Sequence, residues 1–258
     1  MHWIVQNNLI NPQTRDMLLG LLGKRSTPYS LVELVPIFGM LTGPAPVVQG
    51  PVYVYGSTSL GPVARENRWV PGYFEDNLDY ERMLEQYGDL ALNAGAICAT
   101  LETLSEPSWE RFFIRPVHDN KSFAGTVMTW AAFDKFRQGV QSVADEPDAT
   151  VRVTDRIVVA PLIELAAEFR FFVIKGRVVT GSRYKLGDRV ESSTDVPAHV
   201  WAFAQSCSER WAPNAAFAID IAVTATGLKV IELNSANSAG FYACDVGRIV
   251  DAVNEGLC

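Results

Sequence analysis

The sequence is poor in the residues from which zinc centres and disulfide frameworks are built. Its 258 residues include three histidines and four cysteines. Cys98, Cys207, Cys244 and Cys258 are scattered and form no CxxC pair, so neither a zinc site nor a disulfide scaffold is expected, and the thiols are expected to be free. No run approaches the ~18 uninterrupted apolar residues of a membrane span. The opening residues MHWIVQNN lack the basic segment and apolar stretch of a secretory signal, so the expected compartment is cytoplasmic. Positive charge is also short: the formal net charge is −7, which argues against an extended nucleic-acid surface or an anionic-membrane surface. Apolar residues at 48% and charged residues at 20% describe an ordinary globular chain, long enough for one large domain or two smaller ones. No internal repeat, low-complexity tract or long linker is present.

What the chain does have is concentrated towards its end. Residues 217–240, FAIDIAVTATGLKVIELNSANSAG, read as two strands joined by a tight turn. Period-2 alternation places Asp220 on a small-residue face with Ala218 and Ala222, and Glu232 with Asn234 on one face of the second strand. A three-residue loop at Ala225-Thr226-Gly227, with Gly227 left-handed, sets Asp220 directly opposite Glu232. Two carboxylates facing across a ladder repel unless a cation lies between them. An all-oxygen set of Asp, Glu and Asn suits magnesium, and with it phosphate chemistry. The alternative is an acidic face turned to water. Ala218 and Ala222 are too small and apolar for that, and the polar exit through Ser235-Ala-Asn237-Ser-Ala-Gly240 suits a ligand.

Strands and helices are mixed along the rest of the chain, with adjacent hairpins in the second half, so the class there is α+β. Strands are expected at 3–6 and 52–55, and helices at 12–22, 63–67, 128–143, 197–211 and 243–254. The composition changes near Ser105, giving domains at 1–105 and 106–258. Gly56 to Gly61 follows a short strand and precedes a helix, as a substrate loop or as a turn with a capped helix.

Four segments of the second half carry charge or hydrogen-bonding edges that fit a triphosphate. Arg115-Pro116 ends a strand and offers a guanidinium to two phosphate oxygens. His118 to Gly125 is a polar loop with Lys121, either a phosphate loop or a surface turn. Ile157 to Ile163, interrupted by Pro161, reads as an edge or hinge backbone, or else as a buried strand. Glu168 and Arg170 share one strand face, with Arg183 and Lys185 side by side on the next strand. Arg170 in a β-rich run wants an anion or a cross-strand partner such as Glu168 or Glu164.

Taken in order, these segments resemble the ATP-grasp superfamily, whose members hold ATP between two α+β subdomains. The likeness covers roughly residues 106–245, and its density of Arg and Lys resembles the arginine-rich clade of phages and bacteria. It implies an ATP-grasp fold behind a small α/β pre-ATP-grasp domain. Arg115 stands where many members have a lysine, Lys121 resembles the lysine of the phosphate loop, and Ala160, Pro161, Leu162 and Ile163 resemble the adenine hinge. Glu168, also a nucleotide contact, begins the Glu-x-Arg pattern of amino-acid-adding ligases. Asp220, Glu232 and Asn234 match the magnesium triad. The implied activity is ATP-dependent carboxylate–amine ligation through an acyl phosphate, with ATP and Mg2+ as cofactors and catalytic Arg170, Arg183 and Lys185. The implied substrates are small-molecule or peptide carboxylates and amines. A kinase-type phosphotransferase and a non-catalytic nucleotide-binding accessory protein are the alternatives.

Overall fold

The computed structural model describes residues 1–8, 11–36, 38–117, 123–146 and 149–257. The chain opens with a parallel sheet of β1 (His2–Gln6), β2 (Tyr29–Val32), β3 (Val52–Tyr55) and β4 (Pro71–Gly72), in the order β2-β1-β3-β4. Helices α1 (Pro12–Lys24) and α2 (Leu60–Glu66) belong to this part. Residues 3–5 of β1 are apolar on both faces because both faces are covered. Trp3 and Val5 pack with Leu18 and Leu22 of α1, while Ile4 joins Leu60 and Val63 of α2 in a separate core.

After α3 (Tyr80–Tyr87) come β5 (Ile97–Thr100), β6 (Arg111–Pro116), β7 (Thr126–Thr129), α4 (Trp130–Ser142) and β8 (Arg156–Pro161). These strands form an antiparallel sheet in the order β5-β8-β6-β7. The boundary expected at residue 105 falls within the stretch that builds this sheet, since β5 precedes it and pairs with β8. Strand β8 is an inner strand, not the edge that Pro161 suggested. The proline is tolerated because it is the last residue of the strand, past the end of the β5 pairing at Ile97–Val159.

The third sheet contains β9 (Ala167–Ile174), β10 (Arg177–Leu186), β11 (Arg189–Ser193), β12 (Ala216–Thr224) and β13 (Gly227–Ser235), in the order β11-β10-β9-β12-β13. One face packs under α5 (Ala198–Arg210) through Phe169, Phe171, Val173 and Ile219. The other face carries Phe172 and Ala218 against α6 (Val246–Gly256) and the first sheet. Helix α6 buries Val246, Ile249, Val250 and Val253, one apolar stripe at helical spacing.

Asn237, expected in a ligand-facing loop, is instead fully buried as a fastener between parts of the chain. Its Nδ2 donates to the carbonyls of Val54 (2.5 Å) and Gly72 (3.1 Å), and its Oδ1 accepts from the Phe74 amide at 2.8 Å. A buried amide finds such partners because leaving them unmade is costly. The residues after it, Ser238 to Gly240, reach a cavity. Cys98, Cys207 and Cys244 are free thiols. Among the described residues no helix is long and apolar enough to cross a membrane.

Candidate functional site

Asp220 lies opposite Glu232 as the alternation requires, but by a different route from the expected three-residue loop. Thr224 pairs with Gly227, leaving a two-residue turn, and a bulge between Asp220 and Ile221 restores the register by absorbing Ile231. Gly227, at φ 111°, supplies the left-handed conformation this turn needs. The bulge has a consequence for the site. Val230 and Leu233 stay in the core under α5, whereas Ile231 and Glu232 both line a cavity on the other face.

A second bulge, between Arg183 and Lys185 on β10, overturns the expectation that those two side chains lie together. Lys185 pairs with Glu168, while Arg183 pairs with Phe169, a residue of the core under α5. Arg183 therefore sits on the far face of the sheet, where it bridges to Glu191 at 2.5 Å. Tyr184 takes its place at the site: its hydroxyl donates to Glu168 Oε2 at 2.7 Å, beside the 2.8 Å contact of Lys185 Nζ with Glu168 Oε1.

Two cavities meet between the second and third sheets. The larger, about 730 Å3, is bounded by β6, the run Pro161 to Leu165, Glu168, Tyr184, Lys185 and Glu232. The smaller, about 490 Å3, is bounded by Arg115, Arg170, Asn234, Phe123 to Gly125 and Ser238 to Gly240. Phe113, Arg115 and Glu232 border both. Pro161, Leu162 and Ile163 thus line the larger cavity as expected of a hinge. Ala160 does not: it is fully buried and paired with Phe113 inside the ladder. Lys121 lies outside the described residues. Gly125, which follows it, approaches the Phe113 ring so closely that a Cβ would lie 2.7 Å from it, so only glycine fits there.

Charge at the site is arranged as two guanidinium–carboxylate pairs. Arg170 donates from Nε and Nη2 to the two oxygens of Asp220 at 2.8 and 2.7 Å, a bidentate contact between register partners on β9 and β12. The cross-strand partner of Arg170 is therefore Asp220, not Glu168 or Glu164. Arg115 donates to Glu232 Oε2 at 2.7 Å, from β6 of one sheet to β13 of the other. Burial pushes the Asp220 carboxyl up to about 6, against the pull of Arg170. Burial acts in the same sense on Glu232, but the Arg115 charge and hydrogen bonds from Asn234 and Arg115 outweigh it and lower its pKa. Asn234 donates from Nδ2 to Glu232 Oε1 at 3.1 Å, so its amide oxygen is the group left to offer elsewhere.

Aromatic rings complete both pairs, and the sequence reading missed them. Arg115 lies over the Tyr80 ring at 4.5 Å. Arg170 lies 5.1 Å from the Tyr242 ring, which is stacked on Tyr184 at 4.7 Å. The signal was faint, because Tyr80 and Tyr242 belong to no charged motif.

The donor set suits a magnesium ion. Among the described residues no group of three or more His, Cys, Asp or Glu side chains could hold a metal, so Asn234 has to complete any set formed with Asp220 and Glu232. These three supply only oxygen from adjoining strands, and each carboxylate is compensated by a guanidinium, as a cation would compensate it.

Known proteins share this architecture. A family of ATP-grasp domains, family 2 of its clade, matches residues 96–252. D-cycloserine synthetase DcsG superposes with a TM-score of 0.63 at 12% identity, over 100% of both chains. The ATP-grasp ligase PsnB, complexed with precursor peptide PsnA2 and AMPPNP, gives 0.58 at 14% identity over 100% of this chain and 97% of its own. D-alanine–D-alanine ligase from Bacillus anthracis, complexed with ATP, gives 0.57 at 12% identity over 98% and 91%. No curated protein matches the sequence.

Proposed function

The chain belongs to the ATP-grasp superfamily, in the domain family that matches residues 96–252, and from that premise we propose that it is an ATP-dependent carboxylate–amine ligase. The observation that carries the reading is the Arg115–Glu232 pair, which joins the two sheets where two cavities of about 730 and 490 Å3 meet. One cavity has an apolar wall at Leu162 and Ile163 suited to a base. The other is bounded by Arg170 and Asn234, suited to a triphosphate end and an acceptor.

In this reading a substrate carboxylate attacks the γ-phosphorus of ATP, giving an acyl phosphate and ADP. An amine then attacks the acyl carbon, and phosphate leaves with the C–O bond pair. Arg115 grips phosphate oxygens at the junction. Arg170, held on Asp220, presents fixed positive charge where the transferred phosphoryl group becomes more negative. Lys185, tied to Glu168, adds charge on the wall of the larger cavity. Asp220, Glu232 and Asn234 would hold magnesium, which neutralises phosphate charge when bound. Arg183 has no part, since it lies across the sheet. The N-terminal residues 1–105 are proposed to complete the acceptor side.

Hydroxylamine trapping tests this. With Mg-ATP, hydroxylamine and a panel of amino-acid and peptide carboxylates, a ligase yields hydroxamate together with equal ADP and phosphate. ADP accompanied by a stable phosphoester instead would make the protein a phosphotransferase, and failure to bind ATP would leave neither reading standing.

A further inference from the structure

Among the described residues, three groups reach Arg115. These are the Glu232 carboxylate at 2.7 Å, the neighbouring Pro116 carbonyl at 3.3 Å and the face of the Tyr80 ring at 4.5 Å. A phosphate arriving at the cavity junction competes with Glu232, because both take the N–H edge of the guanidinium. It does not compete with Tyr80, which contacts the flat face and leaves that edge open.

The ring is itself fixed. Tyr80 is 3% exposed, and its hydroxyl accepts from Asn93 Nδ2 at 2.8 Å. Its amide donates to the Val117 carbonyl at 3.0 Å, just past the strand that carries Arg115. It stands at the start of α3, where Asp79 caps the helix by accepting from the Arg82 amide at 2.8 Å. Ring and guanidinium are thus fastened to the same piece of backbone, and their geometry persists when the carboxylate partner changes.

We propose that Tyr80 is a positioning residue: it keeps the Arg115 guanidinium at the cavity junction as its N–H edge passes from Glu232 to a nucleotide phosphate. This rests on the nucleotide reading above and says which side chain makes it work. A Tyr80 that merely filled the core would affect folding but not nucleotide binding through Arg115.

Calorimetric titration with ADP and magnesium separates the two roles. Tyr80→Leu is expected to weaken ADP binding roughly tenfold, the scale of a lost cation–π contact at a desolvated site. Tyr80→Phe keeps the ring face and stays within about twofold of wild type. In an Arg115→Met background, Tyr80→Leu should produce no further loss. An equal loss in both backgrounds, or none in the wild-type background, overturns the proposal. Should Tyr80→Leu not fold, Tyr80→Met, nearer in length, carries the same comparison. Wild-type protein that binds no ADP would refute the nucleotide reading first, and this inference with it.

Discussion

The two guanidinium–carboxylate pairs are built from the same groups, yet they occupy different kinds of place. Arg170 and Asp220 are neighbours on adjacent strands of one sheet, with side chains 9% and 2% exposed. Arg115 and Glu232 come from different sheets, with side chains 16% and 28% exposed. The first pair is part of the sheet's interior and has almost no water to fall back on. The second bridges a gap that a ligand can enter. A buried pair is expensive to break by removing one partner, whereas a pair that water reaches contributes little to stability. The sealed pair therefore suits a fixed electrostatic wall, and the open pair suits exchange of partners.

The largest effect should come from breaking the sealed pair. Asp220→Ala leaves a buried guanidinium without its bidentate acceptor and is expected to cost ~3–5 kcal/mol in denaturant unfolding. Asp220→Asn keeps an acceptor oxygen and should cost far less, within about 1 kcal/mol. Equal losses for the two would mean that charge, not hydrogen bonding, holds Arg170. The same residue governs a pH dependence. With its folded pKa raised to about 6 from the ordinary 3.8, its protonation favours the folded state. That contribution is complete below about pH 4 and lost as pH rises through about 6. Unfolding free energies measured from pH 4 to 7.5 should show this decline in wild type and not in Asp220→Asn.

The open pair should respond in binding more than in stability. Glu232→Gln removes a partly exposed salt bridge worth about 0–1 kcal/mol, so its unfolding midpoint should hardly move. It also frees the N–H edge of Arg115 while weakening the oxygen set that suits magnesium. Metal-free ADP should therefore bind as tightly as in wild type or tighter, and the gain from adding magnesium should shrink roughly tenfold or more. Titrations in chelator and in excess magnesium read this directly. An unchanged ratio of the two affinities would remove Glu232 from the metal set.

Periodicity and charge made most of this legible in the sequence. Period-2 alternation was enough to face Asp220 with Glu232 and to put Glu232 beside Asn234, because side-chain direction in a strand is fixed by parity. Bulges break parity, and no residue type announces them. The bulge at Ile231 happened to cancel an error in the assumed turn length, so the predicted opposition survived. The bulge beside Tyr184 had nothing to cancel and displaced Arg183. Partner choice was also hidden. Arg170 had three acidic candidates within reach of a strand-by-strand reading, and only the order β9-β12-β13 selects Asp220. Tyr80 and Asn237 act across long stretches of chain, on the Arg115–Glu232 pair and on the first sheet, and no local pattern carries such contacts.

Arg183 supplies the smallest effect and the sharpest check on the bulge. Counted along an unbroken strand it belongs with Lys185 on the cavity wall, where removing a cation that steadies a phosphoryl group would cost ~3 kcal/mol of barrier, roughly a hundredfold or more in rate. Placed by its pairing with Phe169 and its bridge to Glu191, it faces away from the reacting groups. Arg183→Ala should then leave turnover and nucleotide affinity at wild-type values and cost no more than about 1 kcal/mol of stability, the scale of a partly exposed ion pair. Lys185→Ala, one bulge away on the cavity side, should be the more damaging of the two to nucleotide binding. If the order is reversed in steady-state and binding measurements, β10 runs without its bulge when substrate is present, and the wall of the cavity has to be redrawn.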